Sequence, residues 1–150
     1  FKVLPPLRSE DDREALLEGL EDGAIDFIFS NHLPLDPEAK DREFPYSDFG
    51  AIGLQTTAAA LHTRLGDRFS PQQWAQWLAI RPREIFGLQV PTISVGAPAN
   101  LTVFHPEAAW TFQREDILSK SHNSPLIGHR FQGRVRATVS GPHYRKFDAL

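Results

Sequence analysis

The sequence predicts an α/β segment over residues 1–87 and an antiparallel β segment over residues 88–150. Three observations predict this division. Residues 1–29 read strand, helix, strand, which is a βαβ unit. A long stretch without period follows the second strand, and two helical stretches follow that. After Gly87 the helical texture gives way to short β-rich runs broken by glycine and proline.

Phe1–Leu4 is a short apolar run stopped by Pro5-Pro6, whose rings force extended geometry and remove two backbone donors. Ser9 is a good N-cap, and Glu10, Asp11 and Asp12 place negative charge in the first helical turn. Ala15, Leu16, Leu17 and Leu20 form an apolar stripe, and Gly23 supplies the stop. The run Ala24–Phe29 is mostly apolar and suits a strand buried on both faces of a parallel sheet.

From Ser30 to Asp48 the chain holds Pro34, Pro37 and Pro45 among many acidic residues, with no period of 2 or 3.6. A loop directly after a buried parallel strand is where α/β proteins keep their chemistry. Ile52–Leu65 then predicts a helix ending at Gly66. Ser70-Pro71 opens another, capped by Ser70, which runs through Trp74, Trp77, Leu78 and Ile80 to the residue before Pro82. A short turn, Pro82–Phe86, closes at Gly87. Val90–Val95, Asn100–Phe104, Trp110–Phe112 and Arg134–Ser140 predict strands, with turns at Gly96-Ala97-Pro98 and Gly141-Pro142.

Two parallel strands close no sheet by themselves and leave apolar helix surface uncovered. There is no methionine, and the chain opens as strand. We therefore expect it to be part of a longer polypeptide that supplies the remaining strands.

The 150 residues are 41% hydrophobic and 23% charged with a net charge of -3, which is ordinary for a globular protein with a real core. Acidic and basic residues are interspersed, so the clustered basic face of a nucleic-acid binder is missing. No apolar run approaches the roughly 18 residues that span a bilayer. The lack of cysteine removes disulfides, thiol nucleophiles and cysteine-ligated zinc, and fits a reducing compartment such as the cytoplasm.

Few motifs carry chemistry. His32, His62, His105, His122, His129 and His143 are scattered, with no i, i+4 pair and no suitably placed carboxylate, so each reads as a surface or packing residue. Gly50-Ala51-Ile52-Gly53 lacks the Lys-Ser/Thr of a phosphate loop, and no Gly-x-Ser-x-Gly elbow occurs. Trp74 and Trp77, three apart on a helix, read as packing. The Asn31-His32 pair is weak in itself and gains weight from its place at the end of a predicted parallel strand.

Several stretches together resemble the bacterial dihydroorotases of the amidohydrolase superfamily. They are residues 2–13, the strand and rim at 25–34, Asp48-Phe49-Gly50-Ala51-Ile52-Gly53-Leu54, Pro82-Arg83-Glu84-Ile85-Phe86-Gly87-Leu88, Gly96-Ala97-Pro98-Ala99-Asn100-Leu101 and Gly133-Arg134-Val135-Arg136-Ala137-Thr138-Val139. The resemblance implies that residues 1–87 are the last two strands and helices of a (β/α)8 TIM-like metal-dependent hydrolase barrel. Residues 88–150 would be the C-terminal part of a small composite β-sandwich. It further implies interconversion of carbamoyl-aspartate and dihydroorotate in pyrimidine synthesis, at a zinc site whose histidines and bridging carboxylate lie upstream of this chain.

At the rim the family reads Asp-His-Ala-Pro-His, where this chain reads Asn31-His32-Leu33-Pro34-Leu35. By that resemblance Asn31 stands in place of the general-base and metal-ligating Asp. Leu35 replaces a substrate-contacting His, and Leu4 replaces a substrate-contacting Asn. Phe49 and Gly50, whose backbone would line the substrate loop, are retained. An amide cannot shuttle a proton as a carboxylate does, which costs roughly 10²–10⁴ in rate. It is also a poorer metal ligand, for lack of formal charge. The expectation is a silent dihydroorotase-like protein, a pseudoenzyme with weak or absent zinc, homo-oligomeric and partnered with aspartate transcarbamoylase. The competing expectation is an active zinc-dependent dihydroorotase, or a related cyclic amidohydrolase, with altered ligands.

Overall fold

Residues 1–147 are described by a computed structural model; positions 148–150, the last of the predicted β segment, lie outside the described residues. Helix α1, Glu10–Glu21, begins where the sequence places it. The Ser9 hydroxyl accepts from the Asp12 N–H at 3.2 Å, while the Asp12 carboxylate accepts from the Ser9 N–H at 3.1 Å. The chain leaves the helix through Gly23, at φ 83°.

The two predicted strands at 1–4 and 24–29 do not enter a ladder. Apolar character made them candidates, but a parallel strand exists only through its neighbours. Here Ile28 N–H donates to the Trp77 carbonyl at 3.0 Å instead of to a strand. The rim that follows contributes one isolated parallel bridge, His32 to Ala51. Within the long loop, Asp36 and Pro37 start a single-turn helix, α2, Pro37–Lys40.

Helix α3 spans Thr57–Leu65 and so starts five residues later than the predicted Ile52. The reason is the turn that precedes it. Ile52 N–H is taken by the Asn123 carbonyl at 3.1 Å, and the N–H groups of Thr56 and Thr57 both converge on Gly53 O at 3.0 Å. The helix can begin only beyond that turn.

Helix α4, Pro71–Ala75, opens on the expected cap, a reciprocal pair between Ser70 and Gln73. It does not stop before Pro82. The rod widens into a π-helical turn, Gln76–Ile80, and continues as α5, Arg81–Ile85. A proline inside a helix lacks an N–H and presses its ring on the carbonyl four residues back. Widening to i→i−5 bonds, as in Arg81 N–H to Gln76 O, relieves that clash.

The second part is a three-stranded antiparallel sheet in the order β1 (Asn100–Thr111), β2 (Arg130–Ser140), β3 (His143–Lys146). The predicted runs 100–104 and 110–112 are joined into one long bulged strand, ending at Thr111. Pro106 cannot donate to a ladder, and the register shifts between His105 and Ala109 accordingly. Opposite that bulge, Gly133 sits at φ 91°, and a β-carbon there would run into the Phe104 ring and lie 2.7 Å from His62 Cδ2. The Gly141-Pro142 hairpin forms as predicted, with positive φ at its first position. Val90–Val95 forms no strand, and Ile93 is 90% exposed.

Two apolar clusters hold the fold. Leu17 and Leu20 of α1 meet Phe69 and Trp77, with Trp74 edge-on to both rings. Ala59 of α3 meets Phe112 and Phe131, with Trp110 beside them. Phe112 is only 1% exposed, a burial that contributes roughly 1.5–3 kcal/mol. Helix α3 serves both clusters, through Leu65 in the first and Ala59 and Ala60 in the second.

Candidate functional site

Three segments converge at the rim: the N-terminal run 1–5, the post-strand loop 30–36, and the turn 48–54. Asn31 sits at φ 44°, a left-handed conformation that asparagine tolerates better than most residues. Its amide Nδ2 donates to the Leu4 carbonyl at 2.8 Å, which ties the loop to the N-terminal run. His32 faces the other way. Its Nδ1 accepts from Gly53 N–H at 3.2 Å and Leu54 N–H at 3.3 Å, so the ring proton belongs on Nε2.

Gly50 closes the floor. At φ 145°, a β-carbon on it would lie 2.9 Å from Leu33 Cβ and 3.1 Å from Leu35 Cδ1. Only glycine lets these two leucines approach the turn so closely. Gly50 N–H donates to Lys2 O at 3.0 Å. Lys2 in turn extends its ammonium over Phe49, 4.5 Å from the ring centroid, and donates to Pro45 O at 3.0 Å. Lys40 fastens the same loop from α2, donating to Asp48 O at 2.7 Å.

Of the residues singled out from sequence, Leu4, Asn31 and Gly50 line one small cleft of about 220 Å³. Leu4 is 60% exposed there. Leu35 and Phe49 stand outside its wall, Leu35 packed behind Gly50 and Phe49 beneath Lys2. A larger cleft, about 920 Å³, runs between α3, the turn at 115–119 and the sheet, and reaches the rim through His32 and the turn residues Ile52, Gly53 and Leu54. The scattered histidines pack structurally where they are engaged. His62, for example, sits edge-on to Phe104 and hydrogen-bonds Pro106 O at 3.1 Å.

Zinc, implied by the resemblance, can be tested against these donors. Asn31 offers a neutral carbonyl oxygen, and its nitrogen is committed to Leu4. Among the described residues no group of three or more His, Cys, Asp or Glu side chains is placed to hold a metal ion. The residues present do not by themselves fit a zinc site.

Sequence reasoning missed Asn123. It is buried, and its side chain reaches Leu35 N–H, Leu33 O and Gly50 O. Asn123 stands in Ser121-His122-Asn123-Ser124-Pro125, which reads as a turn and nothing more.

Comparison with known proteins places these features in context. Residues 4–140 match the family model described as Amidohydrolase family. The chain is 42% identical over 143 residues to the dihydroorotase of Geobacillus thermodenitrificans, covering 94% of this chain and 33% of that protein. It is 38% identical over 142 residues to the dihydroorotase of Bacillus subtilis, covering 93% of this chain and 33% of the relative. The chain thus spans about a third of the length of these relatives. Among solved structures, the L-hydantoinase (dihydropyrimidinase) of Arthrobacter aurescens superposes with a TM-score of 0.87 at 26% identity, over 99% of this chain and 35% of its own. The inactive dihydroorotase-like domain of a CAD-like multifunctional protein from Chaetomium thermophilum shares the fold, with a TM-score of 0.65 at 22% identity over 92% of this chain and 36% of its own.

Proposed function

The chain belongs to the amidohydrolase family, and within it we propose a dihydroorotase-like protein that no longer turns over substrate and serves as a scaffold beside aspartate transcarbamoylase. Its part of the fold is the barrel rim and the small β domain. The observation that carries the reading is the Asn31 amide, whose nitrogen donates to the Leu4 carbonyl. A carboxylate has no proton to give in that place. The local structure is therefore built around a neutral donor where the family resemblance calls for a general base.

The flanking side chains support the same reading. Leu4 lines the cleft and Leu35 packs behind it, and both are apolar. A ligand with polar edges would leave them unpaired there, which weakens its binding. We place the protein in the cytoplasm, on its lack of cysteine. Among the described residues no helix is long and apolar enough to cross a membrane.

The test is a direct assay of the intact protein in both directions, dihydroorotate hydrolysis and carbamoyl-aspartate cyclisation, with zinc content measured on the same sample. No detectable turnover and substoichiometric zinc are expected. Turnover at ordinary dihydroorotase rates would overturn the proposal. Sedimentation with aspartate transcarbamoylase tests the scaffold role: a stable complex is expected, and two independently sedimenting species refute it.

A further inference from the structure

Four hydrogen bonds meet on one residue of the β part, and all four end on the two loops of the rim. Asn123 Oδ1 accepts from Leu35 N–H at 3.3 Å. Asn123 Nδ2 donates to Leu33 O at 2.9 Å and to Gly50 O at 3.4 Å. The Asn123 backbone carbonyl accepts from Ile52 N–H at 3.1 Å. Leu33 and Leu35 belong to the post-strand loop, while Gly50 and Ile52 belong to the turn beside it. The residue is 9% exposed, so these bonds form where water competes poorly for them.

We infer that Asn123 is the positioning residue of the rim, a latch by which the β part sets the spacing of the two loops that form the cleft. An amide is the one uncharged side chain that offers both an acceptor and two donors from a single planar group. The bonds use both donors and one of the oxygen's two lone pairs: one acceptor contact to an N–H, two donor contacts to carbonyls. Aspartate has the acceptors without the donors, and leucine has the shape with neither. The rest of the rim is arranged to need such a latch. The loops share one bridge, His32 to Ala51, with Leu33 N–H to Ala51 O at 3.0 Å beside it. The contacts of His32 Nδ1 reach only Gly53 and Leu54. Beyond those, the Leu35 side chain packs behind Gly50, and the hydrogen bonds that tie Leu35 to Gly50 run through Asn123.

The role is independent of turnover, because it concerns where the loops stand and not what they do to a ligand. Failure of the silent-scaffold proposal would leave it untouched, and the reverse also holds.

Residue-resolved amide exchange on the intact protein, comparing Asn123→Ala and Asn123→Asp with the parent, tests it atom by atom. In Asn123→Ala the Leu35 amide loses its acceptor and exchanges about tenfold faster. In Asn123→Asp the acceptor stays, and Leu35 changes by less than about threefold. A probe sensitive to loop spacing, limited proteolysis at 33–36, shows faster cutting in both variants, because both lose the donors to Leu33 and Gly50. Amides of α1 and β2 keep their rates throughout. Unchanged Leu35 exchange in Asn123→Ala overturns the latch. So does acceleration of α1 and β2 to the same extent as the rim, or outright unfolding of both variants, since a latch on two loops leaves both apolar clusters intact.

Discussion

Replacing Asn31 by aspartate is the change that a simple repair of the catalytic position would make, and the structure says it should destabilise the rim. The parent amide donates to Leu4 O at 2.8 Å. Aspartate at neutral pH brings an oxygen to the same place and faces the carbonyl with a lone pair. A neutral hydrogen bond contributes about 0.5–1.5 kcal/mol net, and repulsion adds to its loss. The site is solvent-exposed, so water replaces part of what is lost, and about 1 kcal/mol is the expected cost. Two companions separate the causes. Asn31→Gly keeps the φ of 44° at no steric cost, and loses the bond together with some restriction of the unfolded chain. Asn31→Ala loses the bond and adds roughly 1–2 kcal/mol for the left-handed backbone.

The pH dependence of Asn31→Asp has a definite sign. Protonated, the introduced carboxyl can donate to Leu4 O; ionised, it cannot. Its folded pKa therefore lies above the unfolded value of about 3.9. For a raised acid, stability is fully present below the unfolded pKa and is lost as pH rises through the folded one. Urea denaturation of the intact protein should show parent and variant alike near pH 3.5 and separated at pH 7. A variant as stable as the parent at pH 7 would refute the reasoning, and with it the view that the rim is built around a neutral donor.

Other expectations follow from the same structure. Catalytically, Asn31→Asp alone should leave dihydroorotate hydrolysis undetectable, whereas the triple change Leu4→Asn, Asn31→Asp, Leu35→His restores it if the remaining zinc ligands are present; activity from the single change would show that Leu4 and Leu35 are not substrate positions. Gly133→Ala meets the Phe104 and His62 rings at a positive φ, and should cost about 2–4 kcal/mol in a denaturation series, with no loss supporting a slack bulge. Arg68 donates to Glu21 at 2.7 Å and holds its carboxyl below the usual range. For a lowered acid, stability is present above the unfolded pKa and lost as pH falls through the folded one. Arg68→Ala should therefore flatten the acid limb of the stability profile, and an unaltered limb would count against the pair.

Much of the fold was legible in the sequence wherever the cause was local. The N-caps at Ser9 and Ser70, the Gly141-Pro142 reversal and the Trp74–Trp77 packing each rest on residues within one turn of one another. What was illegible depended on distant partners. Phe1–Leu4, Ala24–Phe29 and Val90–Val95 have strand composition, yet a strand is decided by its neighbours, and the described residues supply none for them. The late start of α3 follows the turn in which Thr56 and Thr57 converge on Gly53 O, and Ile52 ahead of it bonds Asn123, far along the chain. The same distance hid Asn123 itself. At the rim, Leu4, Asn31 and Gly50 do meet at one cleft, while Leu35 and Phe49 support it from outside.

The dual service of α3 has a consequence for how this molecule can change. Its far end, at Leu65, packs against one apolar cluster, while Ala59 is buried in the other and Ala60 packs against it. Neither half is then a detachable cassette: exchanging the β sheet for that of a relative would also disturb the footing of α1 and Trp77, unless the exchanged piece carried α3 with it.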